Sequence, residues 1–165
     1  MEKKSLNVKA MARIAIVAAI YVVLTFITYP VSYGDLGIEF RISEILVLLC
    51  FFNSEYIISL VIGCFIANSF GSMGLIDSIF GSIATLLSCV CISKTKNIFI
   101  SSIYPVIFNS IIVGLELYYI LELPLILSMI GVGIGVFVVV TIIGCPLFYY
   151  LNKRKDFNNF IGAKK

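Results

Sequence analysis

The chain has 165 residues, of which 61% are hydrophobic and 13% charged, and its mean hydropathy is +1.10. Soluble domains carry about 25% charged residues, and here the apolar residues fall in long unbroken runs, so a water-soluble core is excluded and a polytopic membrane protein is indicated. The net charge of +3 does not describe a nucleic-acid surface, because Lys and Arg cluster between apolar runs, as basic flanks of membrane spans do.

A span needs roughly 20 residues. The first is predicted over residues 10–28. Its basic start resembles a signal peptide, but no small-x-small cleavage site precedes "YPVSYGD", so an uncleaved span is expected. The loop "YPVSYGDLGIEF" (Tyr29 to Phe40) follows. Two runs, 43–52 and 56–70, then form a tight hairpin turning at "NSE". The first of these is short for a crossing, and either the preceding loop continues it or it lies buried among its neighbours. After the turn "GSMGL" come spans over 77–92, 98–119 and 124–151. The expected fold is therefore all-α, a single membrane domain of six transmembrane helices.

Six spans place both termini on one side. With that side cytoplasmic, every Lys and Arg except Arg41 is cytoplasmic, whereas Asp35, Glu39, Glu44, Asp77, Glu116 and Glu122 lie in or near outward loops. The asymmetry predicts cytoplasmic termini. The basic clusters, Lys153 to Lys155 among them, also attract anionic headgroups. The five cysteines lie in apolar runs without a C-x-x-C, which reads as reduced buried thiols. There is no histidine, so neither a metal site nor His-based catalysis is expected. No G-x-x-x-x-G-K-[ST] occurs, so the chain cannot energise transport with ATP by itself. "GVGIG" (Gly131 to Gly135) sits within an apolar run and is not a dinucleotide loop.

Arg41, Glu44, Asp77 and Glu116 lie at the outer ends of spans, and Asn68 and Asn109 lie within spans. Such groups are rare in membranes unless they face a wet cavity or one another, which suggests an outward-facing pocket. Arg41 and Glu44 are also spaced i,i+3, so local pairing could account for both. Asp77 precedes an apolar run, so helix capping is an alternative for it. Glu116 follows Asn109 by seven residues, two helical turns, and the two share a face. Glu55 and Glu122 read as solvated. In the first span Ala15 and Ala19, with Ala12 and Ala18 beside them, form a small-residue face. It serves either packing within the bundle or docking of a separate subunit.

The segments "YVVLTFITYPVSYG", "FRISEIL", "GCFIANSFGSMGLIDSIFGSIATLL" and "YPVIFNSIIVGLEL" resemble the QueT family. These are substrate-binding (S) components of energy-coupling factor (ECF) transporters, associated with queuosine precursors. The resemblance covers roughly residues 10–150. It implies a six-helix S component in the cell membrane that captures a vitamin-like base outside. The S component then docks on a transmembrane coupling subunit carrying two ATPase subunits, through an alanine motif that maps onto Ala15 and Ala19. The loop from Tyr29 to Phe40 would close the site. Two departures stand out: Gly135–Val136 replaces the family's usual Gly-Glu pair, and the first loop brings extra acids, Asp35 and Glu39.

The implied ligand is a 7-deazaguanine. Its N–H and NH₂ edge suits a carboxylate, Glu116 or Glu44, and its carbonyl suits a donor, Asn109 or Arg41. Tyr33 or another loop aromatic would stack on the ring, a contact worth about 1–3 kcal/mol per base. An aminomethyl substituent would seek Asp77 or Asp35, and the loss of Glu at position 136 favours a 7-cyano base or queuine. Glu116, Asn109, Glu44, Arg41, Asp77, Asn68 and Tyr33 are thus the expected substrate-binding residues, with no cofactor and no nucleic-acid partner. The competing readings are a solitary gradient-driven carrier and an intramembrane enzyme using buried carboxylates, the latter disfavoured by the absence of a nucleophile paired with a base.

Overall fold

A computed structural model describes residues 8–32, 40–71 and 73–163; among these residues every regular element is a helix and there is no strand. We number the helices α1 (Val8–Ser32), α2 (Ile42–Phe52), α3 (Tyr56–Ser69), α4 (Leu75–Lys94), α5 (Ile98–Leu121), α6 (Leu125–Leu151) and α7 (Lys155–Ile161). The first six cover the six segments expected to be spans, and α7 is a seventh helix, among the described residues, that was not expected. The basic cluster from Lys153 onward was expected only to flank the last span. Residues Lys155–Ile161 instead form a short helix whose Phe157, Phe160 and Ile161 recur at i, i+3 and i+4.

Four helices, α1, α4, α5 and α6, are long and apolar enough to cross a membrane. The α2–α3 hairpin is shorter. The first seven residues of α2, Ile42–Leu48, form a 3₁₀ helix, and only Leu49–Phe52 are α-helical. At their respective rises α2 spans about 20 Å, well under the ~30 Å hydrocarbon core. A short element of this kind is stable because it is enclosed. It packs against α1, α3, α4 and the middle of α6, and Val47, Leu48, Leu49, Cys50 and Phe52 are buried. Around it α1, α3, α4, α5 and α6 pack in sequence, each on the next.

The crossings are built on small residues, as is usual where apolar area alone does not drive association. Gly63 of α3 lies under α1, and a Cβ there would stand 3.1 Å from both Ala18 O and Tyr21 Cβ. Gly114 faces Met129, whose carbonyl accepts a hydrogen bond from Ser110. Gly131, Gly133 and Gly135 are buried, so "GVGIG" is part of the packing surface of α6. Residues Phe137–Gly144 of α6 are π-helical and face the 3₁₀ stretch of α2, with Gly144 against Leu48 and Ile45. All five cysteines are free, and all but Cys91 are buried.

At the end holding the α2–α3 turn, α7 folds back on the bundle. Phe157 packs on Phe52 and Phe148 with centroid distances of 6.2 and 6.1 Å. Tyr56 Oη donates to Ile161 O (3.1 Å) and Asn53 Nδ2 to Gly162 O (3.0 Å). Gly162 ends the helix at φ +60°, a conformation open to glycine, beside the Arg13 guanidinium of α1. The beginning of α1 and the C-terminal helix therefore lie at the same end.

Candidate functional site

At the opposite end, the start of α2 meets the end of α3 and the first turn of α4. Arg41, Asn68 and Asp77 are 6%, 2% and 0% exposed and bond directly. Arg41 Nη1 donates to Asn68 Oδ1 at 3.1 Å, and Nη2 reaches the two Asp77 carboxylate oxygens at 3.3 and 3.4 Å. Asn68 Nδ2 lies 3.2 Å from Asp77 O and 3.3 Å from Asp77 Oδ1. Asp77 is thus held by a cation, by an amide and by the positive end of α4. Gly74 occupies the N-cap position, and Asp77 stands in the first turn of α4.

The local Arg41–Glu44 pair also gives way to a different arrangement. Arg41 precedes α2 in an extended conformation, φ −87° and ψ 97°. Its side chain therefore leaves the helical turn and crosses to α3 and α4. Glu44 instead accepts from Tyr21 Oη of α1 through Oε1 at 2.5 Å. Its other oxygen, Oε2, is buried with no hydrogen-bond partner among the described residues. Beside this pair, Thr25 Oγ1 lies 2.8 Å from Ser43 Oγ and 2.9 Å from Tyr21 O. The polar groups continue inward through Cys64, whose sulfur accepts from Thr85 Oγ1 (3.4 Å) and lies 3.5 Å from Asn68 Nδ2. Gly81 makes room for this cluster, since a Cβ there would collide with Asn68 Nδ2.

The remaining expected residues sit as follows. Asn109 and Glu116 are both buried on α5, 6% and 2% exposed. Asn109 Nδ2 donates to Pro105 O at 2.8 Å. Glu116 lines a cavity of about 300 Å³ with Phe80, Leu115, Tyr119 and Ile120, between α4 and α5. Tyr33, Asp35 and Glu39 lie outside the described residues. Val136, where a carboxylate was looked for, is buried in the apolar core. Glu122 is exposed, but Glu55 is not merely solvated, because Arg13 approaches it at 3.9 Å. Ala12, Ala15 and Ala19 lie on the exposed face of α1, whereas Ala18 is half-buried, its carbonyl near Gly63. Tyr21, Thr25 and Thr85 were not singled out from sequence. Their signal was available, because Tyr21, Thr25 and Thr28 form the polar i, i+4, i+7 stripe of an otherwise apolar span.

The family model described as the QueT transporter matches residues 11–153. The chain belongs to the QueT transporter family. A relative from Lactococcus lactis subsp. cremoris (strain MG1363), the queuosine precursor transporter QueT, is 36% identical over 159 residues, covering 87% of this chain and 92% of its own. No solved structure matches the chain. Membership of the QueT family makes this a multi-pass membrane transporter rather than an enzyme.

Proposed function

We propose that this protein is the substrate-binding component of an ECF-type importer, with both termini cytoplasmic, and that it captures a queuosine precursor at the end carrying Arg41, Glu44, Asp77 and Glu116. Membership of the QueT family and the queuosine-precursor transport named for the Lactococcus lactis relative support this reading. The observation that carries the site is the buried polar cluster itself. A membrane protein does not bury Arg41, Glu44, Asn68 and Asp77 together at one end of a bundle without a use for them.

In this scheme Arg41 and Asp77 tie α2 to α4 and pre-set the floor of the site. Glu44 has an oxygen open to a donor, and Glu116, on the same face of α5 as Asn109, meets the N–H and NH₂ edge of a 7-deazaguanine. An amide or guanidinium serves the ring carbonyl. Tyr33, in the first loop, stacks on the base. Ala12, Ala15 and Ala19 are exposed on one face of α1 and form the contact with the coupling subunit, which with its two ATPase subunits supplies the energy. Ala18 is better placed to pack on α3.

Glu116→Ala abolishes tight binding of a 7-deazaguanine in calorimetry on purified protein, because it leaves donors of the ligand dry and unmatched. Unchanged affinity moves the site elsewhere. Bulky residues at Ala15 and Ala19 leave that binding intact and block uptake; loss of binding would instead make them internal packing residues.

A further inference from the structure

Along the side of the bundle, from Leu24 and Ile42 down to α7, α1 and α6 stand apart with α2 behind them, leaving a groove of about 310 Å³ lined entirely by apolar side chains. Ile20 and Leu24 form one wall, Leu147 the other, Ile45 and Leu46 the back, and Phe160 of α7 closes the end near the termini. Neither the polar cluster nor the alanine face uses this groove. The segment joining its α6 and α7 walls, Leu151 to Phe157, contains three consecutive cations, Lys153, Arg154 and Lys155, all exposed.

These cations have no carboxylate partner among the described residues, and Asp156 is the adjacent acid. Two lie on tyrosine rings instead. Lys153 Nζ is 4.7 Å from the Tyr149 centroid, and Arg154 lies 5.3 Å from that of Tyr150 and donates to its hydroxyl at 3.0 Å. Tyr149, Tyr150 and Phe160 are 56%, 58% and 58% exposed. Exposed aromatics beside unpaired cations mark the depth of a headgroup layer, and an amphipathic segment of this kind lies in the interface plane.

We infer that this corner is a binding site for an anionic glycerophospholipid, with an acyl chain in the groove between α1 and α6 and the headgroup phosphate against Lys153, Arg154 and Lys155. Leu151 and Phe157, which flank the cationic turn in sequence, both line the groove, so one amphiphile can satisfy both. A neutral lipid fills only the first, and a free phosphate only the second.

The chain contains no tryptophan, which makes the test direct. Leu147→Trp places a single reporter in the groove, and Ile126→Trp, at an exposed position at the start of α6, serves as control. Each variant is reconstituted in phosphatidylcholine nanodiscs containing traces of phosphatidylglycerol or phosphatidylcholine brominated on the acyl chains. Quenching of Leu147→Trp is expected at about a thirtyfold lower mole fraction of the anionic lipid than of the neutral one, as the net two charges of the turn imply at about 1 kcal/mol each. The control should show no preference. The preference should disappear when Lys153, Arg154 and Lys155 are all changed to Ser, and weaken in high salt. Equal quenching by the two lipids overturns the proposal, as does a preference that survives the triple substitution. Shielding of Leu147→Trp from both lipids also overturns it, because the groove would then be covered by protein.

Discussion

The two ends of this bundle use charge in opposite ways. At one end Arg41 and Asp77 are almost completely buried and bonded at 3.3 Å, with Asn68 completing the set. At the other, Arg13 and Glu55 approach at 3.9 Å with side chains 26% and 31% exposed, and Lys153 to Lys155 are exposed without ionic partners among the described residues. The difference lies in what surrounds the charges. The exposed set interacts with water and headgroups, where each contact contributes little. The buried set has been removed from water at a cost of several kcal/mol per ion, which only precise hydrogen bonding offsets.

The largest test of this contrast is Arg41→Ala, which strands the Asp77 carboxylate in a dry site. A loss of about 3–5 kcal/mol is expected, read as a lower unfolding temperature in detergent. Replacing both partners, Arg41→Met with Asp77→Leu, should recover most of that stability while binding of a 7-deazaguanine remains lost. Recovery of binding as well would reduce the pair to a scaffold element. Next in size is Gly81→Ala. At an unobstructed helix position this exchange stabilises by up to about 1 kcal/mol. Here the new Cβ displaces Asn68 from its bonds to Arg41 and Asp77, so a loss of about 1–3 kcal/mol is expected, and a gain would mean the cluster is loosely held. The smallest effect belongs to Arg13→Ala, within about 0.5 kcal/mol by the same measurement. A larger loss would show that the contact beside Gly162 is what fixes the C-terminal helix.

Hydropathy located the helices well, because burial in lipid requires long apolar runs whatever their neighbours. The runs at 10–28 and 98–119 appear as Val8–Ser32 and Ile98–Leu121. The C-terminal helix escaped that reading, since Lys155–Ile161 is too short and too polar to register on hydropathy. Its amphipathic spacing and the glycine after it were the signals to follow. For the candidate site, the residue types were legible and the partnerships were not. Charged and amide groups at the ends of apolar spans or within them are conspicuous at any spacing, so Arg41, Glu44, Asn68 and Asp77 stood out. That Arg41 would pass over Glu44, three residues away, for Asp77, thirty-six residues away, depends on one extended residue ahead of a 3₁₀ helix.

The amino-acid sequence alone determined that the chain is helical, that it belongs in a membrane and that its acids and bases segregate along it. Each follows from the free energy of moving side chains between water and lipid, which acts residue by residue. Which charge meets which, that Tyr21 serves Glu44, and that a helix of eleven residues can stand in the middle of the bundle were decided only by the tertiary structure. Directional bonds between distant segments have no local signature. They exist only once packing has brought their partners within 3 Å or so of each other.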